Sequence, residues 1–428
     1  MDIMPRDLAA DVLEDILYRR KAFDEAFSSH LGRANLVDRD KAFAYNLVAT
    51  TLRRLGQVDD LIAYCLQKPL PQKAKAAKMV LRLGVAQLFF MNVADHAAVN
   101  TSVDLAQRRG QGPYKKLINA ILRRLGREGL SLIANQDPEK LNTRDWIWGS
   151  WIATYGDEIS RKIANCHFQQ PPLDISVKYS PESWAHKLNG ELLPTGSVRL
   201  KTHSGVDNLP GFKEGEWWVQ DAAAALPVQL FPALKGKNIA DLCAAPGGKT
   251  AQLAAAGALV TAIDRSELRM KTLRENMDRL SLDVNCVVAD AVKWQAEGEL
   301  DGVLIDAPCS ATGTLRRHPD IQWIKSAGDV GEVSNVQRAL LESSVKIVKR
   351  GGTIIFSTCS LQPEEGSLLI SDFLRKNANV QRAPITVKEL TGLGDDMIKD
   401  GDLWTLPCHL EEMGGMDGFF AARLIRRY

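Results

Sequence analysis

Residues 238–250 read NIADLCAAPGGKT, and this stretch decides the class of fold. Asn238–Leu242 has the length and apolar content of a short buried strand. Two adjacent glycines, Gly247 and Gly248, follow, and a helical segment begins after them. A strand that turns through glycine into a helix is the repeating unit of an open α/β sheet. The same alternation continues toward the C-terminus. Strands are predicted at 259–264, 284–290, 301–306 and 352–358, with helices at 250–256, 266–280, 335–349 and 364–376. Such a pattern implies a parallel sheet covered on both faces, with ligands at the carboxyl ends of its strands.

Working outward, the grammar changes near Gly215. Residues 1–138 read as helix throughout. Leu8, Val12, Ile16 and Leu17 recur at helical spacing, as do Phe43, Leu47, Val48, Leu52 and Leu55. An all-α bundle is predicted there. Residues 139–214 are mixed and read as a small α+β connector, with a strand in LDISVKYS (173–180) and a helix in WAHKLNGELL (184–193). Trp146, Trp148 and Trp151 are expected to pack, since buried aromatics usually serve packing. The fold class is therefore multidomain: an all-α bundle (1–138), a connector (139–214) and an α/β Rossmann-like domain (215–428).

Composition narrows the setting. The chain has 428 residues, 45% hydrophobic and 25% charged, which suits a folded globular protein. No apolar run approaches 18 residues, so no membrane partner is expected. The first twenty residues are acidic and helical in pattern, unlike a signal peptide. Seven cysteines without a CxxC pair argue against a disulfide framework or a metal site, and fit a cytoplasmic protein. The net charge of +2 hides an asymmetry: Gly32 to Arg127 holds 17 Lys and Arg against six Asp and Glu, so the remainder carries −9. The basic residues Arg53–Arg54, Lys73, Lys75, Lys78, Arg108–Arg109, Lys115–Lys116 and Arg123–Arg124 suit a polyanion. Aromatics are sparse among them, so phosphate contacts are expected more than base stacking.

The strand ends carry the chemistry. In the first, a Walker A loop would need glycine where Cys243 stands, and a dinucleotide fingerprint would need a third glycine. An S-adenosylmethionine loop needs only close backbone approach, which Gly247 and Gly248 permit. The second strand ends at Asp264, suited to accept hydrogen bonds from ribose hydroxyls, and the third at Asp290, suited to an adenine amino group. The fourth ends in Asp306-Ala-Pro-Cys309 and the fifth in Ser357-Thr-Cys359. Two thiols beside a methyl donor suggest covalent catalysis on a pyrimidine: a thiolate adds to C6 and makes C5 nucleophilic. Asp306 would then bind the N3/N4 edge of a cytosine, and Lys249 would support the developing charge or the fold. Either thiol suits the attack.

The blocks DLCAAPGGKT, DAPCSATGTLRRHPDIQW and STCSLQPEEG, flanked by WVQDAAAALP and MDGFFAARL, resemble the signature blocks of the RNA cytosine-5 methyltransferase family. At the front, DRDKAFAYNLVATTLRRL, LRLGVAQLFFM and LINAILRRL resemble the NusB-like RNA-binding domain. The resemblance implies Cys359 as nucleophile and Cys309 as the group that assists product release. It implies that S-adenosyl-L-methionine lies on Cys243, Ala244, Ala245, Pro246, Gly247, Gly248, Lys249, Asp264, Asp290 and Asp306. The implied substrate is one cytosine of 16S ribosomal RNA, with the enzyme a monomer in the cytoplasm. Two departures stand out: Ile175-Ser176-Val177-Lys178 where the family often has Arg-x-Asn, and Ala421 where it has an aromatic. Two other readings compete: a transfer RNA or other ribosomal cytosine as target, and an RNA-binding assembly factor that uses the fold as scaffold. The scaffold has no need of the thiols, Asp264 or the glycine loop.

Overall fold

A computed structural model describes residues 4–32, 34–201, 205–390 and 392–428. The chain divides into two compact units, one of residues 1–169 with 315–326, the other of residues 170–314 with 327–428.

The first unit is helical: α1 (Met4–Arg19), α2 (Phe23–Leu31), α3 (Asp38–Arg53), α4 (Leu55–Cys65), α5 (Lys75–Phe90), α6 (Asp95–Arg108), α7 (Lys115–Ala134), α8 (Pro138–Leu141) and α9 (Asp145–Cys166). Its cause is legible in α7, where Ile118, Ile121, Leu122 and Leu125 fall on one buried stripe. Leu47, Leu52, Val80, Leu83 and Leu105 join the same core. The boundary expected at 138 falls inside this unit, because α8 and α9 continue the helical packing. Helix α9 breaks at Gly156, whose φ of +80° lies outside helical space. Trp151 is fully buried, its ring 5.5 Å from that of His167, in line with the packing expected of it.

Much of the basic charge in this unit is spent internally. Arg82 pairs with Asp59, Arg109 with Asp11 and Glu14, and Arg108 with Asp7. Arg54 stacks on Phe90 and Phe168, and Arg124 lies over Tyr64 and binds Glu128. Arg53 is mostly buried and donates to the Arg316 carbonyl at 2.8 Å. Lys73, Lys75, Lys116 and Arg123 remain exposed. Net charge read from sequence therefore overstates the surface offered to a polyanion.

The second unit opens with an antiparallel sheet: β1 (Leu173–Val177), β2 (Glu191–Leu192), β3 (Val198–Leu200) and β4 (Trp217–Val219), in the order β2-β3-β1-β4, with helix α10 (Pro181–Lys187) beside it. Strand β4 lies beyond the expected boundary at 214, yet it pairs with β1. A buried ion pair anchors this sheet: Arg199 donates to both oxygens of Asp174, at 2.7 and 2.8 Å.

After α11 (Leu226–Gln229) the predicted alternation appears: β5 (Asn238–Leu242), α12 (Gly248–Ala255), β6 (Leu259–Asp264), α13 (Glu267–Leu280), β7 (Val284–Val288) and β8 (Leu300–Asp306). The short helix α14 (Ile321–Ile324) precedes α15 (Ala327–Ile347), β9 (Val348–Thr358) and α16 (Ser367–Lys376). Four further strands were not foreseen: β10 (Val380–Arg382), β11 (Ile398–Lys399), β12 (Asp402–Thr405) and β13 (Phe419–Arg426). The sheet runs β11-β12-β13-β9-β8-β5-β6-β7, with β10 on β13. Strands β5 to β9 are mutually parallel, and β13 is antiparallel to β9, with Ala421 opposite Ser357. Order reverses between β5 and β8, so the site of ligand binding is expected at their carboxyl ends. Among the described residues no helix is long and apolar enough to cross a membrane.

Residues 315–326 leave this sheet and complete the helical unit. Asp320 accepts from the Phe23 amide at 3.0 Å, Trp323 Nε1 donates to the Leu52 carbonyl at 3.1 Å, and Gln322 accepts from the Arg144 amide at 3.3 Å. The stretch LRRHPDIQW, which closes one of the blocks quoted above, thus belongs to the helical unit.

Burial deep in that unit, with Arg316 and Arg53 nearby, pushes the His167 imidazole down to about 3. An unfolded His167 takes up its proton near pH 6.5, well before the folded one does. The unfolded chain therefore binds more protons between these values, and stability falls as pH drops below 6.5. At pH 5 the loss from this group is about 2 kcal/mol. His167→Asn should show a smaller drop in melting temperature between pH 7 and pH 5 than the parent. Equal drops would exclude a buried neutral imidazole.

Candidate active site

The strand ends converge because β5, β8 and β9 are adjacent and parallel. Leu242 pairs with Ile305, and Asp306 pairs with Ser357. The loops that follow these pairs therefore start side by side.

The loop after β5 is tightly held. Cys243 has a φ of +63°, costly for a residue with a side chain, and Gly247 has a φ of +107°. Ala244, Ala245, Gly247 and Lys249 are buried, Gly248 is half-buried and Pro246 is exposed. Asp264, at the end of β6, reaches back to this loop: it accepts from the Ala245 amide at 3.3 Å and from the Ser266 amide at 2.9 Å. Arg269 sits 3.7 Å from the same carboxylate. Each carboxylate oxygen has capacity for a further donor. Asp290 is exposed two residues past the end of β7 and caps its own turn through the Val292 amide at 3.0 Å. The Ala289 amide donates to the Asp264 carbonyl at 3.1 Å, which joins this turn to the end of β6.

A row of acids shapes the electrostatics. Asp241 is fully buried and accepts from the Thr250 hydroxyl at 2.6 Å, while its other oxygen has no hydrogen-bond partner. Burial, aided by the charges of Asp306 and Asp264, raises its carboxyl to about 7. Burial and the same acids push the Cys243 thiol up to about 12, so this third thiol stays protonated. Lys249 is the buried cation among them. Its ammonium lies 2.8 Å from Asp306 Oδ2 and 4.9 Å from the centre of the Phe419 ring.

The two remaining thiols meet. Cys309 Sγ and Cys359 Sγ are 3.3 Å apart, both half-buried. The hydrogen bond with Cys359, burial, and the charges of Cys359 and Glu365 hold the Cys309 thiol well above its ordinary range. The backbone beneath them is as close as it can be. The Gly313 amide donates to the Cys359 carbonyl at 2.9 Å, and a Cβ on Gly313 would lie 2.0 Å from the Gly418 carbonyl oxygen. Only glycine fits there.

The structure thus joins Lys249 to Asp306, Asp264 to the glycine loop, and Cys309 to Cys359. Sequence reasoning missed four contributors. Asp241 was read only as the start of a motif, and Thr250 as a helix residue. Phe419 was taken as part of a flanking block. Glu365 was passed over, although two acids after Pro363 in STCSLQPEEG were a visible signal. Among the described residues no three His, Cys, Asp or Glu side chains gather as a metal site would require.

Comparison with known proteins identifies the family. A family model described as 16S rRNA methyltransferase RsmB/F matches residues 228–425, and one described as NusB family matches residues 4–127. Ribosomal RNA small subunit methyltransferase B of Yersinia enterocolitica is 31% identical over 441 residues, covering 99% of this chain and 98% of that protein. The protein of the same name from Cronobacter sakazakii is 32% identical over 440 residues with the same coverage. Among solved structures, PH0851 aligns over the whole of both chains at 23% identity, with a TM-score of 0.76. NSun6 from Pyrococcus horikoshii, solved with SFG, aligns with a TM-score of 0.54 at 20% identity, covering 67% of this chain and 98% of its own. These two share the fold. With identity above 30% along nearly its full length, and with both family models matching in the order read from its sequence, the chain belongs to the 16S rRNA methyltransferase RsmB/F family, with a NusB domain at its front.

Proposed function

We propose that the protein transfers a methyl group from S-adenosyl-L-methionine to C5 of one cytosine in 16S ribosomal RNA, through a covalent bond between a cysteine and C6. The observation that carries this reading is the pair of thiols 3.3 Å apart at the ends of β8 and β9, on strands that also bear the Lys249–Asp306 pair's carboxylate.

The residues present fit the cofactor. The glycine loop brings backbone close to its ligand, and Asp241 offers a buried oxygen without a partner. Asp264 is buried at the end of β6 with acceptor capacity left, as a ribose diol would require. Cys243 to Lys249, Asp264, Asp290 and Asp306 would hold it. S-adenosylmethionine supplies an electrophilic methyl group.

The chain's own residues handle the base. Cys359 adds as thiolate to C6, which moves the C5–C6 π electrons toward C5 and N3. Asp306 holds the N3/N4 edge, and Lys249 compensates the charge that develops on the ring. C5, now enamine-like, takes the methyl group. The Cys309 sulfur then assists release by taking the C5 proton, the electrons of that C–H bond reform the C5–C6 double bond, and Cys359 departs from C6 as thiolate. The target base must leave its stack to reach either sulfur. Lys73, Lys75, Lys116 and Arg123 on the helical unit supply phosphate contacts, which position RNA without reading its sequence.

Two outcomes test this reading. Asp264→Ala should weaken S-adenosylmethionine binding by about 1–3 kcal/mol, the range for buried hydrogen-bond partners left unpaired. Calorimetry on a folded variant with unchanged affinity would remove Asp264 from the cofactor site. Cys359→Ala should give neither methylated RNA nor a covalent complex, whereas Cys309→Ala should stall as a protein–RNA complex that survives denaturing electrophoresis. Complexes that accumulate with Cys359→Ala instead would exchange the two roles.

A further inference from the structure

Beneath the thiol pair lies a buried carboxylate that the mechanism above does not use. Glu365 is fully buried on the turn before α16. Both its oxygens accept from the Ser310 amide at 3.0 Å, and Oε2 also accepts from the Ser310 hydroxyl at 3.0 Å. Ser310 directly follows Cys309. The residue that directly follows Cys359 is Ser360, whose hydroxyl lies 3.0 Å from that of Ser310 and 3.3 Å from that of Thr312.

Backbone amides anchor two of these hydroxyls. The Leu361 amide donates to Thr312 Oγ1 and the Gln362 amide to Ser360 Oγ, both at 3.0 Å. Each hydroxyl is then left with its own hydrogen to give. Ser310 gives its hydrogen to Glu365, Ser360 also hydrogen-bonds the Glu365 carboxylate, and the Thr312 hydroxyl lies within hydrogen-bond reach of Ser360. The chain ends on a group that needs no hydrogen of its own, an ionised carboxylate. An amide there would turn an N–H₂ toward a donor.

We propose that Glu365 is a positioning residue for the release step: through the hydrogen bonds it accepts from Ser310, and through Ser360, it sets the spacing of the two thiols and holds a buried carboxylate against the backbone that follows Cys309. This rests on the covalent reading above. Glu365 acts through space on a sulfur that Cys359 also influences. Once Cys359 is bonded to C6 it carries no charge, so its own hold on the Cys309 proton lapses. Glu365 remains, and sets the basicity of Cys309 while the covalent complex is resolved.

The test is the pH dependence of that resolution, followed by rapid quench and denaturing electrophoresis on a single-cytosine RNA hairpin. Glu365→Gln should still form the covalent complex, but its release limb should move about one pH unit toward acid, because a charge near Cys309 is gone. In the Cys309→Ala background the same substitution should change nothing further. Ser310→Ala, which keeps the charge and removes one link, should slow release without moving the limb, and it serves if Glu365→Gln does not fold. A limb that stays in place in Glu365→Gln, additive losses in the double variant, or release as fast in Ser310→Ala as in the parent would each overturn the proposal. Failure of Cys309→Ala itself to trap RNA would instead overturn the covalent reading on which it rests.

Discussion

The register of β8 on β9 is the constraint from which the site follows. Parallel pairing sets Asp306 beside Ser357, so the chain leaves both strands at the same height. Three residues on from one and two from the other, two sulfurs come within 3.3 Å. A slip of one residue would turn every side chain of one strand to the opposite face. Apolar residues on both faces resist that slip: Val303, Leu304, Ile305, Ile354, Ile355 and Phe356 are all fully buried. Sheet burial therefore brings the two strand ends side by side, and the loops that follow them carry the sulfurs the rest of the way.

The same convergence concentrates negative charge. Asp241, Asp264 and Asp306 reach one region, and Lys249 answers one of them directly. The consequences differ by residue. The Asp241 carboxyl rises to about 7, and the Cys243 thiol is silenced at about 12. Of three cysteines at neighbouring strand ends, Cys243 is the one that these three acids push up, whereas Cys309 answers to Cys359 and Glu365. A site built this way is suited to a cationic ligand and to a base that acquires negative charge only beside an ammonium.

The sequence made the central strands legible because they are continuous apolar runs, each closed by an acid or a cysteine. β5 and β6 lie where their patterns put them, and β8 differs at its start by one residue. The C-terminal strands were hidden for a physical reason. β10 has three residues and β11 two, too few for a period of two to show. β4 was not read as a strand and fell beyond the boundary placed at 214, because three residues show no period and only pairing with β1 assigns them to the connector's sheet. Cys309, Cys359 and Lys249 were found from strand ends alone. Glu365 was not, because its role depends on Ser310, 55 positions away, which no local pattern reports. The basic stretch shows less charge at the surface than in the sequence, since ion pairs inside a helical bundle leave its sequence charge unchanged.

Residues 315–326 bear on how the chain is made. The helical unit lacks its buried Leu315 and Asp320 and its half-buried Trp323 until the ribosome has passed Ser326, 160 residues beyond the end of α9 at Cys166. At about 5–20 residues per second, that interval lasts roughly 8–30 s. During it the amide of Phe23 and the carbonyl of Leu52 have no partner from that segment. The N-terminal unit, although synthesised first, is the one that must wait, and its completion reports that the strand bearing Asp306 has already left the ribosome.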